Sequence, residues 1–377
     1  MWKEAIEDAV AKTRKNILRF GKLFPHVGVG GGYSGHLNPN TEWTNGFWTG
    51  ILWLCYEYTK DETFRRAARD SVADFRRRLD ENIVLDHHDI GFLYSLSSMA
   101  QWIVERDEEA KALTLRAADK LLARWRPKAE MIQAWGQVGD EKEGGRIIID
   151  CMMNLPLLYW ASEVTGDAGY REKAVKHAEK SRRYLVRGDD SSYHTFFFDQ
   201  ETGVPIRGET HQGYHHGSTW TRGQAWGVYG FALSYRYTGN RAFLDTAKRM
   251  ARHFLERLPD DYVAYWDFCA PVDERTYRDS SASAIVCAGL LEILGHLDAG
   301  DPDRDYLRTG LERSLRSLVE NYSTIGDPDA EGFIRHGCYS AHGASEDDFL
   351  IWGDYFYLEA LMRIERGITG YWYERRG

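Results

Sequence analysis

The sequence predicts an all-α protein: an (α/α)6 barrel of six helical hairpins, with parallel inner helices and the active site at one end. Three observations predict it. Aromatic-rich, nearly all-apolar helical segments recur near 45–59, 90–105, 146–164, 222–238, 281–297 and 353–365. Several of them end in one kind of polar turn, as in YTKDE (58–62), EVTGD (163–167), YTGNR (237–241) and HLDAGD (296–301). After most of these turns comes a helix with a one-sided stripe, as in Phe243, Ala247, Met250, Ala251 and Phe254. A helix that is apolar all round must be buried, and a striped one lies over a core. A superhelical stack of helix pairs keeps a constant period and a charged concave face. Here the spacing varies and the inner helices carry aromatics, which favours the closed ring.

Each inner helix follows a polar or aromatic motif: TEWTNGFW (41–48), LDHHDIGF (85–92), GGRIIID (144–150), STWTRGQAW (218–226) and YRDSSAS (277–283). Parallel inner helices gather these motifs, with their free N–H groups, at one mouth suited to an anionic ligand. The stretch Gly144 to Trp160 reads as a single buried helix with Asp150 in its first turn. A carboxylate there caps the helix, meets a cation, or stays protonated through desolvation, as a general acid requires. Asp89 opens the preceding inner helix, and the two carboxylates form a candidate acid–base pair. Helix capping is the plain alternative for both.

His87 and His88 beside Asp89, and His211, His215 and His216 in the 200–217 loop, raise the question of a metal. Adjacent residues do not share a helix face, and no HExxH spacing is present, so no metal site is expected. Arg222 between Trp220 and Trp226 must find an anion, either an internal carboxylate or that of a substrate. Trp43, Trp135 and Trp220 lie outside the apolar helices and are the better candidates for stacking on a sugar. Aromatic runs over 191–198 and 262–268 read as strands or loops.

One domain over 1–377 is expected, since no linker-like segment interrupts the 377 residues. The net charge of −9 without a basic block excludes nucleic acid as an expected partner. Five widely spaced cysteines and no CxxC read as reduced, buried thiols of a cytoplasmic protein. No apolar run is long enough to span a bilayer, so no membrane association is expected. A monomer or weak homodimer is expected.

These motifs, together with THQG (210–213) and IWGDYFYLEAL (351–361), resemble the unsaturated glucuronyl hydrolases, glycoside hydrolase family 88, over essentially the whole chain. The bacillus-type members are the most similar. The resemblance implies no metal, no organic cofactor, and an oligosaccharide substrate ending in a 4,5-unsaturated uronic acid. It implies Asp150 as the acid that protonates C4, with Asp89 assisting. It further implies that Trp43, His88, Trp135, His194, Gln212, Trp220, Arg222 and Trp226 line the pocket, and that Gly208 and Thr210 touch the substrate. Members that accept sulfated fragments carry an S-x-R-x-K pattern, which 339–348 lacks, so unsulfated substrates are expected. The rivals are an unsaturated rhamnogalacturonyl hydrolase on pectin fragments, a histidine-based sugar epimerase or isomerase, and a helical scaffold for a protein partner.

Overall fold

Twelve helices of the described residues alternate between an inner and an outer layer. The computed structural model describes residues 1–343 and 345–374. The outer helices are α1 (Trp2–Phe20), α3 (Glu62–Asp80), α5 (Glu108–Leu122), α7 (Ala168–Tyr184), α9 (Arg241–Leu255) and α11 (Arg304–Ser317). The inner ones are α2 (Asn45–Thr59), α6 (Leu155–Thr165), α8 (Thr221–Thr238), α10 (Ser280–Leu294) and α12 (Ile351–Arg366). The remaining inner rod, α4, runs from Ile90–Tyr94 through a π-helical stretch Ser95–Met99 to Ala100–Glu105. Inner helices touch in the order α2, α4, α6, α8, α10, α12 and back to α2, which closes the ring. The buried apolar residues form one cluster from Ala5 to Tyr373.

The recurring polar turn has a local cause. Thr59, Thr165 and Thr238 end inner helices, and the hydroxyl of each accepts from the N–H two residues on, at 3.1 Å. The residue between, Lys60, Gly166 or Gly239, adopts the left-handed conformation that ends a helix. Asp61, Asp167 and Asn240 then cap the following outer helix through their side chains.

One expected element is different. Gly144 to Trp160 is not a single helix: Arg146–Ile148 is a strand (β3), Ile149–Met153 a 3₁₀ turn, and α6 begins only at Leu155. The β-branched run Ile147–Ile149 favours extended backbone, and β3 pairs antiparallel with β4 (Thr195–Phe198) through Arg146, Ile147 and Ile148. Strand β5 (Pro205–Glu209) completes this sheet, so the 200–217 stretch is not loop throughout. A second small sheet pairs β1 (Trp125–Arg126) with β2 (Met131–Ile132). Residues 262–268 form loop, tied by single bridges Trp220–Asp267 and Tyr265–Arg278. Cys269 is exposed rather than buried, and all five cysteines are unpaired. No helix among the described residues is long and apolar enough to cross a membrane.

Candidate active site

A cavity of about 270 Å³ opens at the end of the ring where the inner helices begin. It is lined by Trp43, His88, Asp89, Trp135, Asp150, His211, Gln212, Tyr339 and Ser340. Trp43 precedes α2, His88 and Asp89 precede α4, Asp150 precedes α6, Gln212 precedes α8, and Tyr339 precedes α12. A larger groove of about 520 Å³ lies on the outer wall between α1 and α3 and holds none of these groups.

The small sheet assembles one wall. Pairing of Ile148 with Thr195 and of Phe196 with Gly208 brings 194–212 alongside residue 150. The Ile149 N–H donates to the His194 carbonyl at 3.0 Å. The Trp135 loop is held from both sides: Ala134 N–H donates to the Arg146 carbonyl at 3.0 Å, and His88 N–H to the Ala134 carbonyl at 2.8 Å. At the opposite wall Gln212 Nε2 donates to the Tyr339 carbonyl at 2.7 Å.

Neither carboxylate caps a helix. Asp89 occupies the N-cap position of α4, yet its side chain makes no cap hydrogen bond. Asp150 sits in the 3₁₀ turn, and its Oδ2 is buried without a partner. Burial, and then the charge of Asp89, push the Asp150 carboxyl well above the usual range, against a weaker pull from Arg222. Burial also acts to raise Asp89, but His88, His87 and the Asn154 amide outweigh it and hold Asp89 below its ordinary value. Asn154 stands between the two: its Nδ2 donates to Asp89 Oδ1 at 3.5 Å and to the Asp150 carbonyl at 3.3 Å. Its Oδ1 accepts from Phe92 N–H at 2.8 Å. Gly91 permits that approach, because a Cβ there would lie 2.4 Å from Asn154 Cα. One site thus holds one carboxyl biased to the acid and one biased to the carboxylate.

A raised carboxyl alone does not mark the site. Asp354 rises to about 7 through burial, but Tyr33 hydroxyl and the Phe333 and Ile334 N–H groups satisfy it, and it does not line the cavity. Burial lowers His88 to about 4. At neutral pH it is therefore a neutral ring, with Nε2 3.4 Å from Asp89 Oδ1.

Of the expected contact residues, Trp43, His88, Trp135 and Gln212 line the cavity, and His194, Gly208, Thr210, Trp220, Arg222 and Trp226 do not. Trp226 is fully buried against Phe92 and Phe356. Its place inside an apolar helix makes it core. Gly208 is where β5 crosses the Tyr193 ring, which a Cβ would strike at 2.5 Å. The Thr210 hydroxyl accepts from Gly213 N–H and shapes the turn before Gln212. His194 backs the wall: Nδ1 accepts from His211 and Gln212 N–H, its ring lies 4.2 Å from that of Trp220, and Nε2 has no partner.

Arg222 has found an internal anion. Its Nη1 donates to Asp279 and to the Cys338 carbonyl, and its Nη2 to the Tyr339 carbonyl. Of the two expected anions it is the internal carboxylate that takes the fork, because the Asp279 side chain turns inward from the start of α10 instead of capping it. His211, Tyr339 and Ser340 complete the lining. His211, for which hydrogen bonding to a substrate or a structural role is the expectation ahead of metal binding, lies on the cavity wall. Tyr339 and Ser340 lie in the polar stretch before the last inner helix, the position from which every other motif reaches the mouth. Among the described residues no group of three or more His, Cys, Asp or Glu is placed to hold a metal ion.

The model of Glycosyl Hydrolase Family 88 matches residues 30–366. The chain is 61% identical over 376 residues to the unsaturated glucuronyl hydrolase of Bacillus sp. (strain GL1), covering 100% of both. The crystal structure of that enzyme, described as responsible for the degradation of glycosaminoglycan, superposes with a TM-score of 0.97. An unsaturated glucuronyl hydrolase structure from Streptococcus agalactiae gives a TM-score of 0.95 at 44% identity, covering 98% of this chain and 93% of that one. A further solved chain, 61% identical over 100% of both with a TM-score of 0.97, is a complex with dGlcA-Glc-Rha-Glc.

Proposed function

Because the chain belongs to glycoside hydrolase family 88, we propose that it is an unsaturated glucuronyl hydrolase. It hydrates the 4,5-double bond of the unsaturated uronic acid that polysaccharide lyases leave at a non-reducing end. The observation that carries this reading is the unequal carboxyl pair, Asp150 held as acid and Asp89 as carboxylate in one cavity. Chondroitin-type and dGlcA-bearing oligosaccharides are substrates or ligands of its relatives, which supports the substrate class. The unpaired cysteines support a reducing, cytoplasmic setting.

The reaction is protonation of a vinyl ether. Asp150 gives its proton to C4, and the positive charge left at C5 is shared with the ring oxygen. Asp150, now a carboxylate, takes a proton from the water that adds at C5. The resulting hemiketal opens to the keto-acid and releases the remaining sugar. The desolvation that favours the protonated form of Asp150 also makes the new carboxylate a stronger base than an exposed aspartate. Asp89, fixed by Asn154 and facing His88, accepts hydrogen bonds from ring hydroxyls. Trp43 and Trp135 supply apolar faces for the pyranose.

The test is incubation with unsaturated disaccharides from gellan, hyaluronan, chondroitin, heparin and rhamnogalacturonan, following loss of the double-bond absorbance. Turnover of the glucuronyl substrates is expected. Turnover confined to the rhamnogalacturonan product would replace the reading with the pectin-directed one. Asp89→Asn is expected to lower kcat by ~10²-fold, and near-parental kcat would remove Asp89 from the reaction.

Unsulfated disaccharides are expected to be preferred. The 339–348 segment gives the cavity Tyr339 and Ser340, and no Lys or Arg lines it. Glu346, Asp347 and Asp348 follow and would repel a sulfate. Equal kcat/KM for a sulfated and an unsulfated chondroitin disaccharide would contradict this.

A further inference from the structure

No arginine or lysine lines the cavity, yet two lie buried directly behind it. Arg78 at the end of α3 is 0% exposed, and Arg124 just after α5 is 2% exposed. Neither forms an ion pair among the described residues, which is rare for a buried charge. Their donors go to carbonyl and amide oxygens of the loops that carry cavity residues. Arg78 donates to the Glu42 carbonyl at 2.9 Å, next to Trp43, and to those of Ile83 and Val84 at 3.1 and 3.0 Å, ahead of His88 and Asp89. Arg124 donates to the carbonyls of Gln133, Ala134 and Gly136, which bracket Trp135. Burial lowers both guanidinium groups only to about 10, so both stay charged at neutral pH.

We infer that Arg124, with Arg78, is a positioning residue of the reaction: the pair holds the Trp43, Asp89 and Trp135 loops at the mouth. The two forks act through loop carbonyls and touch no cavity side chain. The inference rests on the reading of this cavity as the place where Asp150 protonates the substrate and Asp89 holds it.

Two substitutions test it. Arg124→Lys loses the fork and Arg124→Met loses every donor; in both a ~10-fold rise in KM is expected with kcat changed far less, a split that a mere loss of folded protein does not produce. An unchanged KM in a folded Arg124→Met protein, or a fall in kcat as large as the rise in KM, overturns the inference. Should Arg124→Met not fold, Arg124→Lys decides it on the same two outcomes. Asp89→Asn in the same assay keeps the two readings apart: near-parental kcat there removes Asp89 from the reaction, while the KM of Arg124→Lys still decides the loop role.

Discussion

Replacing Asp150 with Asn is expected to lower kcat by ~10³-fold or more, toward the upper end of what a general acid contributes, while substrate binding survives. Asparagine is isosteric but has no proton to give to C4. Equilibrium binding of the unsaturated disaccharide, read by tryptophan fluorescence, is expected to stay near the parental value, because Trp43 and Trp135 are untouched. The same variant carries a stability signature. Folding raises the pKa of Asp150, so the unfolded chain loses that proton first as pH rises. The folded state is therefore favoured fully below the ordinary carboxylate range and loses stability as pH climbs toward the raised value. Asp150→Asn is expected to match the parent's melting temperature in acid and to exceed it at neutral pH. A variant that turns over normally, or that melts lower at neutral pH, would show that residue 150 is ionised and hydrogen-bonded in the folded state.

Breaking the Arg222–Asp279 pair is expected to have the largest effect on stability. The two side chains are 1% and 0% exposed, and Asp279→Ala strands a buried guanidinium. Removing one partner of such a pair costs about 3–5 kcal/mol, read as a lower denaturant midpoint with an unchanged m-value. Protein that still folds is expected to show a raised KM, because Arg222 also holds the Cys338 and Tyr339 carbonyls beside Ser340 in the cavity wall. A loss below about 1 kcal/mol, the scale of an exposed ion pair, would mean that another group neutralises Arg222.

The sequence by itself determined the ring and the mouth. Inner and outer helices separate by whether polar residues cover one face or none, a local property of 3.6-residue periodicity. The Thr-x-Asp or Thr-x-Asn turns are closed by hydrogen bonds two residues long, so a short window contains their whole cause. Placement of every motif just ahead of an inner helix was legible for the same reason, and with it the candidacy of Asp89, Asp150, Trp43 and Trp135.

Tertiary structure alone decided the rest. The start of Gly144–Trp160 became a strand because its partner lies nearly fifty residues on, at Thr195–Phe198, and helical periodicity carries no trace of that pairing. Arg222 took an anion 57 positions away, although its neighbours Trp220 and Trp226 suit a sugar site equally well. Asp150 and Asp89 are chemically the same group. What separates them is long-range: one oxygen left without a donor in a dry turn, and a second carboxylate held low by His88, His87 and Asn154. Solvation and charge at a point in space depend on every segment that packs there, and a linear sequence does not show which segments those are.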